Sequence, residues 1–376
     1  MRGSPAHVLL VFGTRPEAIK MLPVAKAIRA KESLRLTVAV TGQHREMLDQ
    51  VFRTFGEEPD IDLALMRPDQ SLPGMTAAMI VKMSEVLGSV SPDIVLVHGD
   101  TTTAMATGLA AFYEHVPLGH VEAGLRSHDV SRPWPEEFNR VAIDSIADYL
   151  FAPTEGAREN LARTGRSQAK VYVTGNTGID ALLDVSRTID RDCDVARRLN
   201  DRYAFLDAGR PLVLVTGHRR ESFGDGLNRI CDGLCRVSDD LDVEIVYPVH
   251  LNPKVREPVM RRLGGRDHIH LLDPVDYLDS VFLMKKAAVI VTDSGGIQEE
   301  APALGRPVLV TRDVTERPEA MLTGHVELVG SDQDLIYRRV AAHVGGSAPP
   351  IAPTFPYGDG TAATQIADIL DRELIA

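Results

Sequence analysis

Short apolar runs alternate along this chain with amphipathic stretches of helical length. In the first half the runs are HVLLVF (7–12), RLTVAVT (35–41), DIVLVHGD (93–100), VPLGHVE (116–122) and YLFAPT (149–154). After KVYVTGN (170–176) the rhythm restarts with PLVLVTGH (211–218), VEIVYPVH (243–250), IHLLDP (269–274), AAVIVTDSGG (287–296) and RPVLVTR (306–312). Continuous hydrophobicity predicts strands covered on both faces, and strands separated by helices predict βαβ units and parallel sheets. The expected class is therefore α/β, with two Rossmann-like doubly wound domains facing a central cleft. The first domain is expected over 1–174, joined by a closing amphipathic helix at 362–376, and the second over 175–361.

Length and composition narrow the picture. At 376 residues the chain exceeds the usual size of one domain. With 25% charged residues and a net charge of -12, its acidic balance argues against a surface for nucleic acid or another polyanion. Cys193, Cys231 and Cys235 form neither a CxxC pair nor a cluster with histidine, so neither a zinc site nor a disulfide framework is expected. HVLLVF is too short for a signal-peptide core or a membrane span, and a cytoplasmic protein without membrane contact is expected.

In doubly wound folds ligands bind beyond the carboxyl ends of the strands. Here those ends read GTRPE, TGQH, HGD, VEAG, TGHRRE, PVH, LLDP and TDSGG. In VIVTDSGGIQEEA (289–301), Ser294, Gly295 and Gly296 are expected to turn backbone amides toward an anion, glycine supplying positive φ and close approach. Glu300, one turn on, suits ribose hydroxyls, so a nucleotide diphosphate satisfies both features. Neither G-x-G-x-x-G nor G-x-x-x-x-G-K-[ST] follows an early strand, which argues against NAD and ATP. Arg15, Lys20, His218 and Arg317 stand at other strand ends, where they can offset the charge of a leaving diphosphate. Asp100, Glu122 and Glu136 supply carboxylates for acid–base work. Each of these residues also has an ordinary use: a turn glycine, a surface cation, a helix cap for Asp100, a buried satisfied acid for Glu122, a helix-start acid for Glu136.

FGTRPEAIK, TGQHREMLDQV, VHGDTTT, GHVEAGLR, PWPEEFNR, VTGHRRESFG, YPVHLNP, TDSGGIQEEAP and TERPEA occur in this order over almost the whole chain. In this the sequence resembles the bacterial non-hydrolysing UDP-N-acetylglucosamine 2-epimerases. The resemblance implies a glycosyltransferase-B-like fold and reversible epimerisation at carbon 2, by elimination of UDP to 2-acetamidoglucal and re-addition. It implies that Arg15, Lys20, His218, Ser294, Gly295, Gly296, Glu300 and Arg317 hold UDP, with the uracil against 273–282, where Val275 and Ser280 lie. It places Asp100, Glu122 and Glu136 around the sugar with Arg140 close by, and leaves open which acid takes the proton and which returns it. His218 would stabilise departing UDP. No metal or redox cofactor is required by this route. A homodimer is implied, and Gln43, His44 and Gln70 match a region where some relatives bind a second UDP-N-acetylglucosamine as activator.

Four other readings share parts of this pattern: a sister epimerase for a 2,3-diacetamido uronic-acid UDP sugar, a retaining UDP-sugar glycosyltransferase, a hydrolysing epimerase, and a non-catalytic UDP-sugar sensor. A transferase needs an acceptor and has no use for three acids facing the sugar.

Overall fold

In the computed structural model the described residues are 4–42, 45–65, 70–164, 168–217, 224–315, 317–348 and 351–375. The first apolar run forms strand β1 (Ala6–Phe12), all seven residues of which are buried. It pairs in parallel with β2 (Leu34–Val40) on one side and β4 (Ile94–His98) on the other. With β3 (Ile61–Asp62), β5 (Leu118–Val121), β6 (Tyr149–Ala152) and β7 (Lys170–Val173), these make a seven-stranded sheet of order β3-β2-β1-β4-β5-β6-β7. The second set is β8 (Leu212–Thr216), β9 (Glu244–Pro248), β10 (Ile269–Leu272), β11 (Ala287–Thr292), β12 (Val308–Val310) and β13 (Val326–Leu328). Their order is β10-β9-β8-β11-β12-β13. Every pairing is parallel, so the continuous apolar runs become strands covered on both faces.

In both sheets the strand order reverses at one place, between β1 and β4 and between β8 and β11. Such a reversal opens a crevice at the carboxyl ends of the strands. The turns after β1 and β4 carry GTRPE and HGD, and the turn after β11 carries DSGG.

The chain divides into two compact units, Met1–Leu183 with Tyr357–Ala376, and Asp184–Pro356. The division falls inside the helix Thr177–Arg191, beyond the 174/175 seam expected from the sequence. The closing helix, Ala362–Ile375, belongs to the first unit, where Ile366 and Leu370 enter a core with Met21, Leu22 and Ile28 of the helix Arg15–Arg29. Asp180 accepts from the Ala363 amide at 2.9 Å, and Tyr172 donates to Glu373 at 2.9 Å. Gly175 allows the returning chain to pass: a Cβ there would lie 3.1 Å from the Cα of Gly358. Among the described residues no helix is long and apolar enough to cross a membrane.

Candidate active site

The first cluster begins with the turn after β1. Thr14 caps the helix Arg15–Arg29, accepting from the Glu17 amide, while Glu17 accepts from the amides of Gly13 at 3.1 Å and Thr14 at 2.7 Å. The same carboxylate accepts from the Thr101 hydroxyl at 2.7 Å, so it ties the turn after β1 to the turn after β4. Burial pushes the Glu17 pKa up, against the pull of the hydroxyl and amide donors and His98. Gly13 is required by space: a Cβ would meet the hydroxyls of Thr41 and Thr103 at 2.3 and 2.5 Å.

Lys20 then lies on the side of the helix from which its ammonium reaches Glu122, just past the end of β5. Glu122 also accepts from the Asn176 side-chain amide at 2.8 Å, and His98 Nε2 lies 3.7 Å from its Oε2. Burial alone would raise this acid, but Lys20 and His98 outweigh it and hold the carboxyl well below the usual range. The Glu122 backbone is left-handed, at φ 66°.

Asp100 is one strand away, since His98 of β4 is in register with Val121 of β5. It does not cap the following helix. Thr101 does so, accepting from the Ala104 amide at 3.1 Å, and the Asp100 carboxylate instead pairs with Arg140. Arg140 also faces Glu137 at 3.1 Å, and Asn139 donates to the Asp100 carbonyl at 2.9 Å. Both come from the helix Glu136–Ile146, whose first residue is Glu136. The two glutamates have separate uses: Glu137 accepts from the amides of Ser127 and His128, at 3.0 and 3.1 Å, whereas Glu136 Oε2 is buried with no hydrogen-bond partner among the described residues. Arg15 opens the helix Arg15–Arg29 and is half-buried.

The second unit holds the other candidates. Ser294 precedes the short helix Gly295–Glu300, and its amide is already donated to the Thr292 hydroxyl at 2.9 Å. Neither Gly295 nor Gly296 has a left-handed φ, which corrects the expectation of a positive-φ turn. Space bears on Gly295, where a Cβ would stand 3.1 Å from the Arg317 guanidinium carbon, but not on Gly296, where among the described residues a Cβ would meet only Ser294 Oγ, at 3.9 Å. Arg317 donates to buried Glu299 at 2.8 Å, and Glu300 accepts from the Tyr277 hydroxyl at 3.0 Å. Tyr277 starts the helix Tyr277–Lys286, which carries half-buried Ser280, and Val275 lies just before its cap Asp276.

His218, Gln43 and His44 lie outside the described residues. Gln70 donates from Nε2 to the Leu65 carbonyl at 3.1 Å. Glu17, His98, Asn139 and Asn176 enter this cluster without having been sequence candidates. Glu17 had a signal in Thr14-Arg-Pro-Glu17, the spacing of a capping box. His98 interrupts an apolar strand, which is a weaker one, and Asn139 and Asn176 had none.

Two neighbouring carboxylates of unlike surroundings, each beside a cation, form an arrangement suited to moving protons to and from one carbon. Comparisons with known proteins bear on which carbon. The family described as UDP-N-acetylglucosamine 2-epimerase matches residues 26–371. The chain is 53% identical to a probable UDP-N-acetylglucosamine 2-epimerase of Ralstonia nicotianae, over 96% of this chain and 97% of that protein. It is 49% identical to the UDP-N-acetylglucosamine 2-epimerase of Escherichia coli, over 98% and 99%. The crystal structure of UDP-GlcNAc 2-epimerase from Neisseria meningitidis bound to UDP-GlcNAc superposes with a TM-score of 0.91 at 42% identity, covering 98% of this chain and all (100%) of that one. MurG of Acinetobacter baumannii, at 14% identity and a TM-score of 0.53, shares the glycosyltransferase-B fold alone.

Proposed function

The chain belongs to the UDP-N-acetylglucosamine 2-epimerase family, and we propose that it interconverts UDP-N-acetylglucosamine and UDP-N-acetylmannosamine with the acids of its first unit. Carbon 2 bears an amide nitrogen and adjoins no carbonyl, so a carboxylate cannot remove its proton unaided. Breaking the bond from the anomeric carbon to UDP, with its electron pair leaving on the diphosphate, gives that carbon oxocarbenium character. The carbon 2 proton then passes to a carboxylate and its bonding electrons close the double bond of 2-acetamidoglucal. Re-addition of UDP, with a proton delivered to the opposite face, yields the epimer.

The observation that carries this assignment of roles is the pairing of Asp100 and Glu122 on adjacent strand ends, each with its own cation. Glu122, held as the carboxylate, is in the form that accepts a proton. Asp100 and Glu136 are the candidates for the group that returns one. In the second unit Arg317, Glu300 and the Gly295-Gly296 backbone are proposed to hold UDP, and Val275 and Ser280 to border the uracil. A cytoplasmic homodimer fits this reading.

Asp100→Asn, Glu122→Gln and Glu136→Gln are each expected to lower turnover by orders of magnitude while calorimetry still registers UDP binding. Wild-type turnover in all three variants would sink the assignment of roles.

A further inference from the structure

His120 is completely buried in β5, two residues before Glu122. Its Nε2 lies 2.7 Å from the carbonyl of Gly99, the residue before Asp100. Its Nδ1 lies 2.6 Å from Asp144 Oδ1, in the helix Glu136–Ile146. The other oxygen of Asp144 accepts from the Gly124 amide at 3.2 Å and pairs with Arg126 at 2.6 Å. Asn160 completes the ring of contacts by donating to the Gly124 carbonyl at 3.0 Å.

A carbonyl only accepts, so His120 Nε2 carries hydrogen. Asp144 meets Arg126 and the Gly124 amide through Oδ2, the surroundings of a carboxylate, so Oδ1 accepts too, from Nδ1. Both ring nitrogens therefore donate. Buried ion pairs of this kind are a poor source of stability, because apolar side chains of the same volume often serve as well. What this one fixes is geometry. Glu122 is a non-glycine residue in the left-handed region, a conformation that persists only where its surroundings over-determine it. The clamp grips the chain two residues before Glu122 and two residues after it, and through Gly99 it also grips the turn that carries Asp100.

We infer that His120 is a positioning residue for the reaction: with Asp144 and Arg126 it holds the Asp100 and Glu122 backbones in one fixed relation. This rests on the reading above that those acids work at carbon 2. His120→Asn retains at most one of the two donations, and a misplacement of about 1 Å at the acids costs about a hundredfold in rate. The expected result for this variant is cooperative unfolding, an unchanged UDP affinity by calorimetry, a KM within threefold of wild type, and kcat lower by about a hundredfold. A folded His120→Asn with kcat within threefold of wild type would overturn the inference, as would a rise in KM with kcat preserved.

Nitrogen-15 NMR of histidine-labelled wild-type protein needs no variant. It should show a solvent-protected proton on His120 Nε2, held against the Gly99 carbonyl, and a freely exchanging one would refute the clamp even if the variant fails to fold. Absence of epimerisation by wild-type protein, with that proton protected, would instead fault the functional reading and the reaction role built on it.

Discussion

Lys20 is the cation on which the state of Glu122 most depends, and the pair is largely buried, with side chains 16% and 11% exposed. A carboxyl whose folded pKa is depressed adds stability that is present above its unfolded value and lost as pH falls through the folded one. For Glu122 that loss begins below the ordinary glutamate value of 4.5 and runs well into acid. Lys20→Met removes the counter-charge and strands a buried carboxylate, a change that costs about 3–5 kcal/mol at neutral pH. The deficit should shrink as acid protonates Glu122 in the variant, which urea unfolding between pH 4 and 8 measures. An equal deficit at every pH would mean that Lys20 acts through packing alone. At this scale the sequence was readable where a polar residue closes an apolar run, as in VLVHGD and LGHVE, because the strand end fixes where such a side chain emerges. It was less readable where the role depends on a distant partner. Glu299 reads as a helix-start acid and proves to be the buried partner of Arg317, and only the fold brings Asn176 to Glu122.

Among the elements, the strands were legible because buried parallel strands are apolar throughout, and helices between them leave few alternatives. β3 and β13 were not anticipated, since two or three residues at a sheet edge carry too little pattern. The closing helix was legible from its amphipathic repeat, but its anchor was not. That anchor is Asp180, whose carboxyl is pushed up to about 6 by burial, against the amides of Ala363 and Ala362. A carboxyl raised from 3.8 binds more protons folded than unfolded, so stability falls as pH rises from about 4 to 6. Asp180→Asn removes this slope. It should be more stable than wild type at pH 7 by about 3 kcal/mol and equal to it near pH 4. A variant less stable at pH 7 would show that the charged carboxylate, and not its neutral form, suits the helix start.

At the scale of the whole molecule, the restart of the strand rhythm after residue 176 anticipated two sheets, and the motif order anticipated the family that the comparisons show. The exact division was not legible, because it falls inside one continuous helix, where no composition change marks it. The chemistry proposed for the molecule makes one demand that no single residue test can replace: the hydrogen on carbon 2 must exchange with solvent while the nucleotide sugar is kept. The most direct measurement is proton NMR of UDP-N-acetylglucosamine incubated with the purified protein in deuterium oxide. The expected product is intact UDP-N-acetylmannosamine carrying deuterium at carbon 2. Free N-acetylmannosamine, or an unchanged spectrum from protein that binds UDP, would rule out elimination and re-addition at carbon 2 of this sugar.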